Sequence, residues 1–563
     1  MLSGMKKSST SARSTSRCRP RAAATSRKKP ADELDSAGVS SPHPQSAMDT
    51  IPVSTGIRNG GNDREGDIRV RENGAAIVPS HQDLHRELRT TMPPMIRSAL
   101  VCVFLLAAAA STVAQPDSGP KPLRVRALDM LHEALRSQGS YAILSRLVKH
   151  APKRLSGSPG GAAAVEWAHQ EMTTLGLENI RLEEVTVPRW VRGEICDIRA
   201  AAGGAEHVLA ACALGGSVGT PKGGLEARVI EVKSFGQLRA LREKAKGAII
   251  FFNRPFDVTL RNTFMGYSRA VNQRSSGAVE AAKVGGIAAI VRSVTSAPDD
   301  APHTGAMRYD DGIEKVPTAA ISVVAANRLA ALLARHGGEV SVRFRQDCAT
   351  LPPVKSANVV GDIVGREKPE EIVLIGAHLD GWDLAQGAQD DGAGVSHCLE
   401  AARLILKSGR KPRRTVRVVL YANEENGLGG GRAYAAQHAS ELENHVLAIE
   451  TDAGAGPPRS FGVSGGQKLV DALEHVSGLL RRYDLGQVVQ GGGGADISTL
   501  RPAGVPLMGL RPADHRYFDV HHSAKDTIDR VHPRELALGA AALGMVALAV
   551  ADAEKGLPRS PAR

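Results

Sequence analysis

Apolar residues recur at helical spacing between 122 and 150, where Leu123, Val125, Leu128, Leu131 and Leu135 fall on one stripe. A turn-rich stretch, Arg154 to Gly161, interrupts the pattern, and Ala162 to Leu175 reads as a second helix. Asn179 to Pro188 alternates apolar and polar residues as a strand does. Between 216 and 347 the pattern changes. Short apolar runs (Gly247 to Phe252, Ala288 to Val291, Thr318 to Val324) read as strands, with a helix over Gly277 to Val284. No catalytic constellation stands out in this stretch. From 357 onward strands and helices alternate: strands at Asn358–Val364, Glu371–Gly376, Thr415–Ala422 and Val446–Glu450, and helices at Gly394–Leu406, Gly430–His438, Gln467–Arg482 and Pro533–Ala551.

Such alternation predicts an α/β fold with a mixed, mostly parallel sheet covered by helices. In these folds, loops beyond the carboxyl ends of the strands collect the chemistry. The expected division is a first α/β part over 121–215, an inserted small β-rich unit over 216–347, and a second α/β part over 348–556. A length of 563 residues allows about two to four domains. Aromatics are only 3% of the chain, so its core must be built from Ala, Val, Leu and Ile.

The formal charge of +12 first suggests a nucleic-acid partner. Much of the surplus sits between Lys6 and Lys29, ahead of the first acid at Asp32, and no basic helix is interleaved with aromatics. The excess therefore reads as a solvated tail, and no nucleic-acid partner is expected. Met95 to Ala114 has Arg97 in a positive leader, an apolar run Ala99–Ala110, and small residues Thr112 and Ala114 at a cleavage site. That is a signal-peptide pattern, too short to span a bilayer. It predicts cleavage near Ala114, a secreted, periplasmic or extracellular protein with no stable membrane anchor, and residues 1–94 as a disordered or over-called extension. Beyond it Cys196, Cys212, Cys348 and Cys398 show no CxxC spacing, so a cysteine zinc site is not expected; Cys196 and Cys212 are the nearest pair in sequence.

Five motifs follow strand ends or loop turns: His378-Leu379-Asp380, Asp390-Asp391-Gly392-Ala393-Gly394, Glu424-Glu425, Asp452, and His521-His522-Ser523 with Asp526-Thr527 beyond. Imidazoles and carboxylates are the ligands zinc takes where a position is left open for water. A carboxylate bridging two zincs sets them about 3.5–4 Å apart. Adjacent glutamates suit a division between ligand and base. Asp380 can fix the tautomer of His378. Alone, an HxD is more often a surface loop, an EE pair a solvated face and a DDGAG run a helix entry; their combination in order is informative.

The stretches GAHLDGWDLAQGAQDDGAG, ANEENGLGG, ETDAG and HHSAKDT resemble the signatures of the glutamate-carboxypeptidase-like di-zinc aminopeptidase family. FFNRPF, GAVEAAKVGGIAAIVRSV and PHTGAMRYDDGIEKVPTAAI resemble the protease-associated-like insert of that family, so the likeness runs over roughly 125–555. It implies a zinc-exopeptidase fold, two Zn2+ ions, a homodimer, and a peptide substrate with a free terminus. It also implies roles. Asp390 bridges; His378 and Asp452 complete one site, and Glu425 and His522 the other. Glu424 is the general base and acid, and Asp380 orients His378. His521 is either a substrate or oxyanion contact or a packing residue, and Asp496 is structural. Gly381 and Asn423 depart from the family pattern. Three other readings exist. Gly462–Gly466 fits GxSxG, with Asp496 and His522 following in hydrolase order; that reading leaves Asp390, Glu424, Glu425 and Asp452 without a task. A ligand-free binding protein and a one-metal amide cyclase on the same fold are the other two.

Overall fold

The computed structural model describes residues 121–559 apart from 482 and 486, so the expected extension and signal segment lie outside the described residues. Helices α1 (Leu123–Ser137), α2 (Gly139–His150) and α3 (Pro159–Leu175) come first. The stripe over 122–150 is two helices rather than one. Gln138 turns left-handed (φ 49°), and a Cβ on Gly139 would lie 2.4 Å from a Glu400 carboxylate oxygen. Ser158 starts α3: its Oγ accepts from Gly161 N at 3.1 Å, and Pro159 occupies the first turn, where no N–H is needed.

Strand β1 (Glu178–Val191) leads into β2 (Cys196–Ala202), β3 (Ala205–Leu209), β4 (Ala211–Ala213) and β5 (Leu225–Val232). Helix α4 (Phe235–Leu241), β6 (Ile249–Phe252), α5 (Thr263–Ala270), α6 (Asn272–Lys283) and β7 (Ala288–Arg292) follow, then β8 (Thr318–Ile321), α7 (Val323–His336) and β9 (Ser341–Gln346). Strands β2 to β9 form an eight-stranded sheet of order β3-β2-β9-β5-β6-β7-β8-β4. The strand expected to run to Val324 stops at Ile321, because Ser322 Oγ accepts from Ala325 N at 2.9 Å and caps α7.

The rest of the chain supplies β10 (Ala349–Ile363), β11 (Lys368–His378), α8 (Ala393–Lys407), β12 (Arg414–Tyr421), α9 (Gly429–Gln437) and β13 (His445–Glu450). Then come β14 (Pro458–Ser464), α10 (Gln467–Arg481), β15 (Gln487–Gln490), β16 (Leu507–Pro512) and α11 (Pro533–Asp552). With β1 these strands form a second eight-stranded sheet, order β1-β10-β12-β11-β13-β16-β14-β15. It is mixed, with four of its seven pairings parallel. The chain leaves this sheet after β1 and re-enters it at β10, the antiparallel neighbour of β1.

The central strands are buried on both faces. Val373 and Ile375 of β11 pack with Val416 and Val418 against α1, α8 and α11; Ile372 and Leu374 pack on the other side with Tyr421 and Tyr434. Each such side chain stabilises the fold by about 1.5–3 kcal/mol. Helix α11 is long and apolar enough to cross a membrane, yet most of it is buried in this core. Strands β12, β11, β13 and β16 run parallel side by side, so their carboxyl ends open at one edge of the sheet. That edge carries the site.

Candidate metal centre

His378 is the last residue of β11; Glu424 and Glu425 follow β12; Asp452 follows β13; His521 and His522 lie in the loop after β16. Asp390 comes from the loop before α8 and stands in the middle. His378 Nε2 lies 3.2 Å from Asp390 Oδ1 and 3.5 Å from Asp452 Oδ1. His522 Nε2 lies 3.0 Å from Asp390 Oδ2 and 3.1 Å from Glu425 Oε2. Asp390 thus turns one carboxylate oxygen to each histidine. His521 stacks on His522, ring centroids 3.6 Å apart, with its Nε2 3.4 Å from Asp390 Oδ2. Two trios bring ligand atoms within 4.8 Å of one another, His378–Asp390–Asp452 and Asp390–His521–His522. Glu425 joins the second through His522.

The surroundings hold this arrangement in place. Asp526 accepts from the N–H groups of Gln389 and Asp390 at 2.6 and 3.1 Å. Asp391 accepts from His378 N and Gly394 N, and a Cβ on Gly394 would lie 1.9 Å from Thr451 O, so only glycine lets α8 start here. Gly381, a departure from the family pattern, has tight surroundings too: a Cβ would lie 3.1 Å from Asp390 O. Asp380 meets its neighbours through both main chain and side chain. His378 Nδ1 faces the Asp380 carbonyl oxygen at 3.1 Å, while the nearer carboxylate oxygen is 3.8 Å away and accepts from Glu424 N at 3.0 Å. A main-chain oxygen thus lies nearer His378 Nδ1 than the Asp380 carboxylate does, and that carboxylate accepts from Glu424 N.

Electrostatics favour a cation at this point. Burial opposes charge on His522, yet Glu425 and Asp390 push its pKa up to about 10. His378 is likewise buried but held well above the ordinary imidazole range by Asp452 and Asp390. Burial, Asp452 and Glu425 push Glu424 well above the usual carboxylate range. A field that draws protons onto both rings would draw a divalent cation in their place. Glu425 Oε1 is buried with no hydrogen-bond partner among the described residues, a free oxygen such an ion would satisfy. The donors present, imidazole and carboxylate, fit zinc.

Several neighbours had no signal in the sequence. Arg154, fully buried, donates to Leu379 O at 2.7 Å, to Gly387 O at 2.8 Å and to Gln386 O. Arg274 of α6, 7% exposed, places Nη1 3.3 Å from His522 Nδ1 and donates from Nη2 to Tyr267 Oη at 2.6 Å. The stretch between 216 and 347, where no constellation stood out, therefore sends side chains to the site. Trp382 and Ser523 line its pocket with Asp390, Glu425 and His522. The alternative serine arrangement is not assembled: Ser464 Oγ donates to Gly492 O, and both carboxylate oxygens of Asp496 are buried without a partner among the described residues. Cys196, Cys212, Cys348 and Cys398 are free thiols.

Residues 358–547, which contain every one of these candidate ligands, match the model of peptidase family M28. Human carboxypeptidase Q is 38% identical over 421 residues, covering 75% of this chain and 87% of the human protein. The chain belongs to peptidase family M28. Within the family it is similar to the crystal structure of a peptidase M28 precursor from Shewanella amazonensis SB2B, with a TM-score of 0.75, 36% identity, and coverage of 78% of this chain and 99% of that one. The aminopeptidase from Aneurinibacillus sp. strain AM-1 shares the fold, with a TM-score of 0.54 at 20% identity over 76% of this chain and 98% of its own. M28 membership and the carboxypeptidase Q relatives make this chain a metallopeptidase.

Proposed function

We propose that the chain is an exported exopeptidase that uses two zinc ions to hydrolyse dipeptides or short peptides with a free terminus. The observation that carries this reading is Asp390 between His378 and His522, one oxygen toward each, with Asp452 and Glu425 on the outer sides. His378, Asp390 and Asp452 would hold one ion, and Asp390, Glu425 and His522 the other. His522 is preferred to His521 as ligand because only His522 also faces Glu425. When bound, zinc supplies a Lewis acid for the scissile carbonyl and lowers the pKa of water. Glu424 takes the proton of the attacking water and delivers it to the departing amine. Its carboxyl range, raised by burial, suits a group that must both accept and give a proton. His521 donates toward the oxygen on which charge develops, its neutrality favoured by burial and by the neighbouring His522.

Arg274 bears on which terminus is read. It is a buried guanidinium with no ion-pair partner among the described residues, and its Nε has no hydrogen-bond partner. Buried charges are normally paired. A substrate carboxylate would complete it, which favours cleavage beside a free C-terminus. The signal-peptide reading of Met95–Ala114 and the homodimer stay part of this proposal; N-terminal sequencing of the native protein and light scattering test them.

The test is hydrolysis of unblocked, N-blocked and C-blocked dipeptides by chelated and zinc-restored enzyme. Cleavage that disappears on chelation, returns with zinc and fails with C-blocked members is expected. Zinc-independent cleavage, or none, would reject the reading; cleavage of C-blocked but not N-blocked members would reject only the role of Arg274.

A further inference from the structure

The two adjacent histidines are held from outside their own sheet. Thr304 N donates to His522 O at 2.8 Å, His303 Nδ1 lies 2.6 Å from His521 O, and His303 and Ser523 form an antiparallel bridge. Both carbonyls of the histidine pair therefore end on residues 303–304, in the connection between β7 and β8. His522 has φ 61°, a left-handed conformation that a non-glycine residue keeps only when its surroundings impose it. The restraint extends further. Thr304 Oγ1 donates to Ala213 O at 3.0 Å and accepts from Arg192 Nη2 at 3.2 Å, and Arg192 Nη2 also donates to Asp383 at 2.6 Å. Asp383 lies in the loop between His378 and Asp390, so one chain of hydrogen bonds joins the loop of Asp390 to the backbone of His522.

His303 is 2% exposed. A carbonyl facing Nδ1 makes Nδ1 the protonated nitrogen and leaves Nε2 as a bare acceptor, and Nε2 has no partner among the described residues. A leucine would fill this place without an orphaned nitrogen, so packing alone gives no reason for an imidazole. We propose that His303 is a positioning residue: by donating its Nδ1–H to the His521 carbonyl it fixes the His521–His522 backbone, and with it the direction in which both rings present Nε2 to Asp390. It touches neither substrate nor metal in this account. The inference rests on the two-zinc reading only for its effect on turnover.

The experiment compares His303→Leu and His303→Asn with wild type. Asn carries an amide N–H near the place of Nδ1; Leu carries no donor. Four quantities are read: kcat, KM, zinc per chain after dialysis, and hydrogen exchange of peptides covering 517–526. His303→Leu is expected to lower kcat about 10–100-fold, the usual effect of losing a group that orients a metal-binding histidine, with KM little changed, less zinc retained and faster exchange in 517–526. His303→Asn is expected to recover most of each. Should the leucine variant fail to fold, His303→Gln, whose donor sits at the other end, takes its place as the unrescued form. Wild-type turnover, zinc and exchange in the leucine variant would overturn the proposal, as would an asparagine variant impaired as badly as leucine. Wild-type protein that neither binds zinc nor cleaves peptides would instead reject the functional reading, and the exchange data would still decide whether His303 holds this backbone.

Discussion

Replacing Arg154 with methionine removes a buried cation and keeps most of its stem. Arg154 has no exposure and gives three hydrogen bonds to main-chain oxygens, those of Leu379, Gln386 and Gly387. These oxygens lie at both ends of the loop that carries Asp380 and leads into Asp390. Methionine would leave all three buried acceptors unpaired at about 1–3 kcal/mol each. Partial relaxation of the loop makes a total of about 4 kcal/mol the expected loss, toward the low end of the sum. The guanidinium also faces Asp526, Asp391, Asp380 and Asp390, so its removal leaves their repulsion uncompensated. Differential scanning fluorimetry in excess zinc should show the midpoint falling by about 4 °C. Turnover of the best dipeptide should fall about 10–100-fold, because Asp390 is no longer held in register. Lysine, which has a charge but no fork, should be intermediate. A methionine variant within about 2 °C of wild type and with unchanged kcat would refute the reasoning.

Two further outcomes follow from single side chains. Glu424→Gln should retain zinc and lose turnover by about 10²–10⁴-fold; near-normal kcat would move the base elsewhere. Glu133 accepts from Lys407, Arg136 and Arg403, which together hold its pKa at about 2, below the ordinary value. A depressed carboxylate stabilises the fold above its unfolded pKa and loses that contribution as pH falls through its folded one. Glu133→Gln should therefore cost about 1 kcal/mol at pH 7, after allowing for solvent screening, and almost nothing near pH 2. Urea titrations at several pH values check this, and a cost independent of pH would contradict it.

The residues that gather at the candidate metal centre were legible because most of them stand just past a strand end. A histidine closing β11, a glutamate pair after β12 and an aspartate after β13 remain recognisable within a few residues of an apolar run, and parallel strands then bring these ends together without further information. The partners of those residues are a different matter. Arg154 lies 225 residues from Leu379, Arg274 lies 248 from His522, and His303 lies 218 from His521. No local pattern distinguishes a buried arginine from a surface one, so such contacts become visible only when both sheets are in place. Register was hidden for similar reasons. Gln138 and Ser322 end or begin helices through a left-handed turn and a cap, in stretches where the apolar pattern continues past them. For Asp380 a sequence does not say which of its oxygens, side-chain or main-chain, lies nearest His378.

Diffraction data from zinc-loaded crystals, collected above and below the zinc absorption edge, test whether two ions share Asp390. Two anomalous peaks on either side of Asp390 are predicted, one reached by His378 and Asp452 and the other by Glu425 and His522. A single peak, no peak, or a second peak reached by His521 in place of His522 would contradict the account.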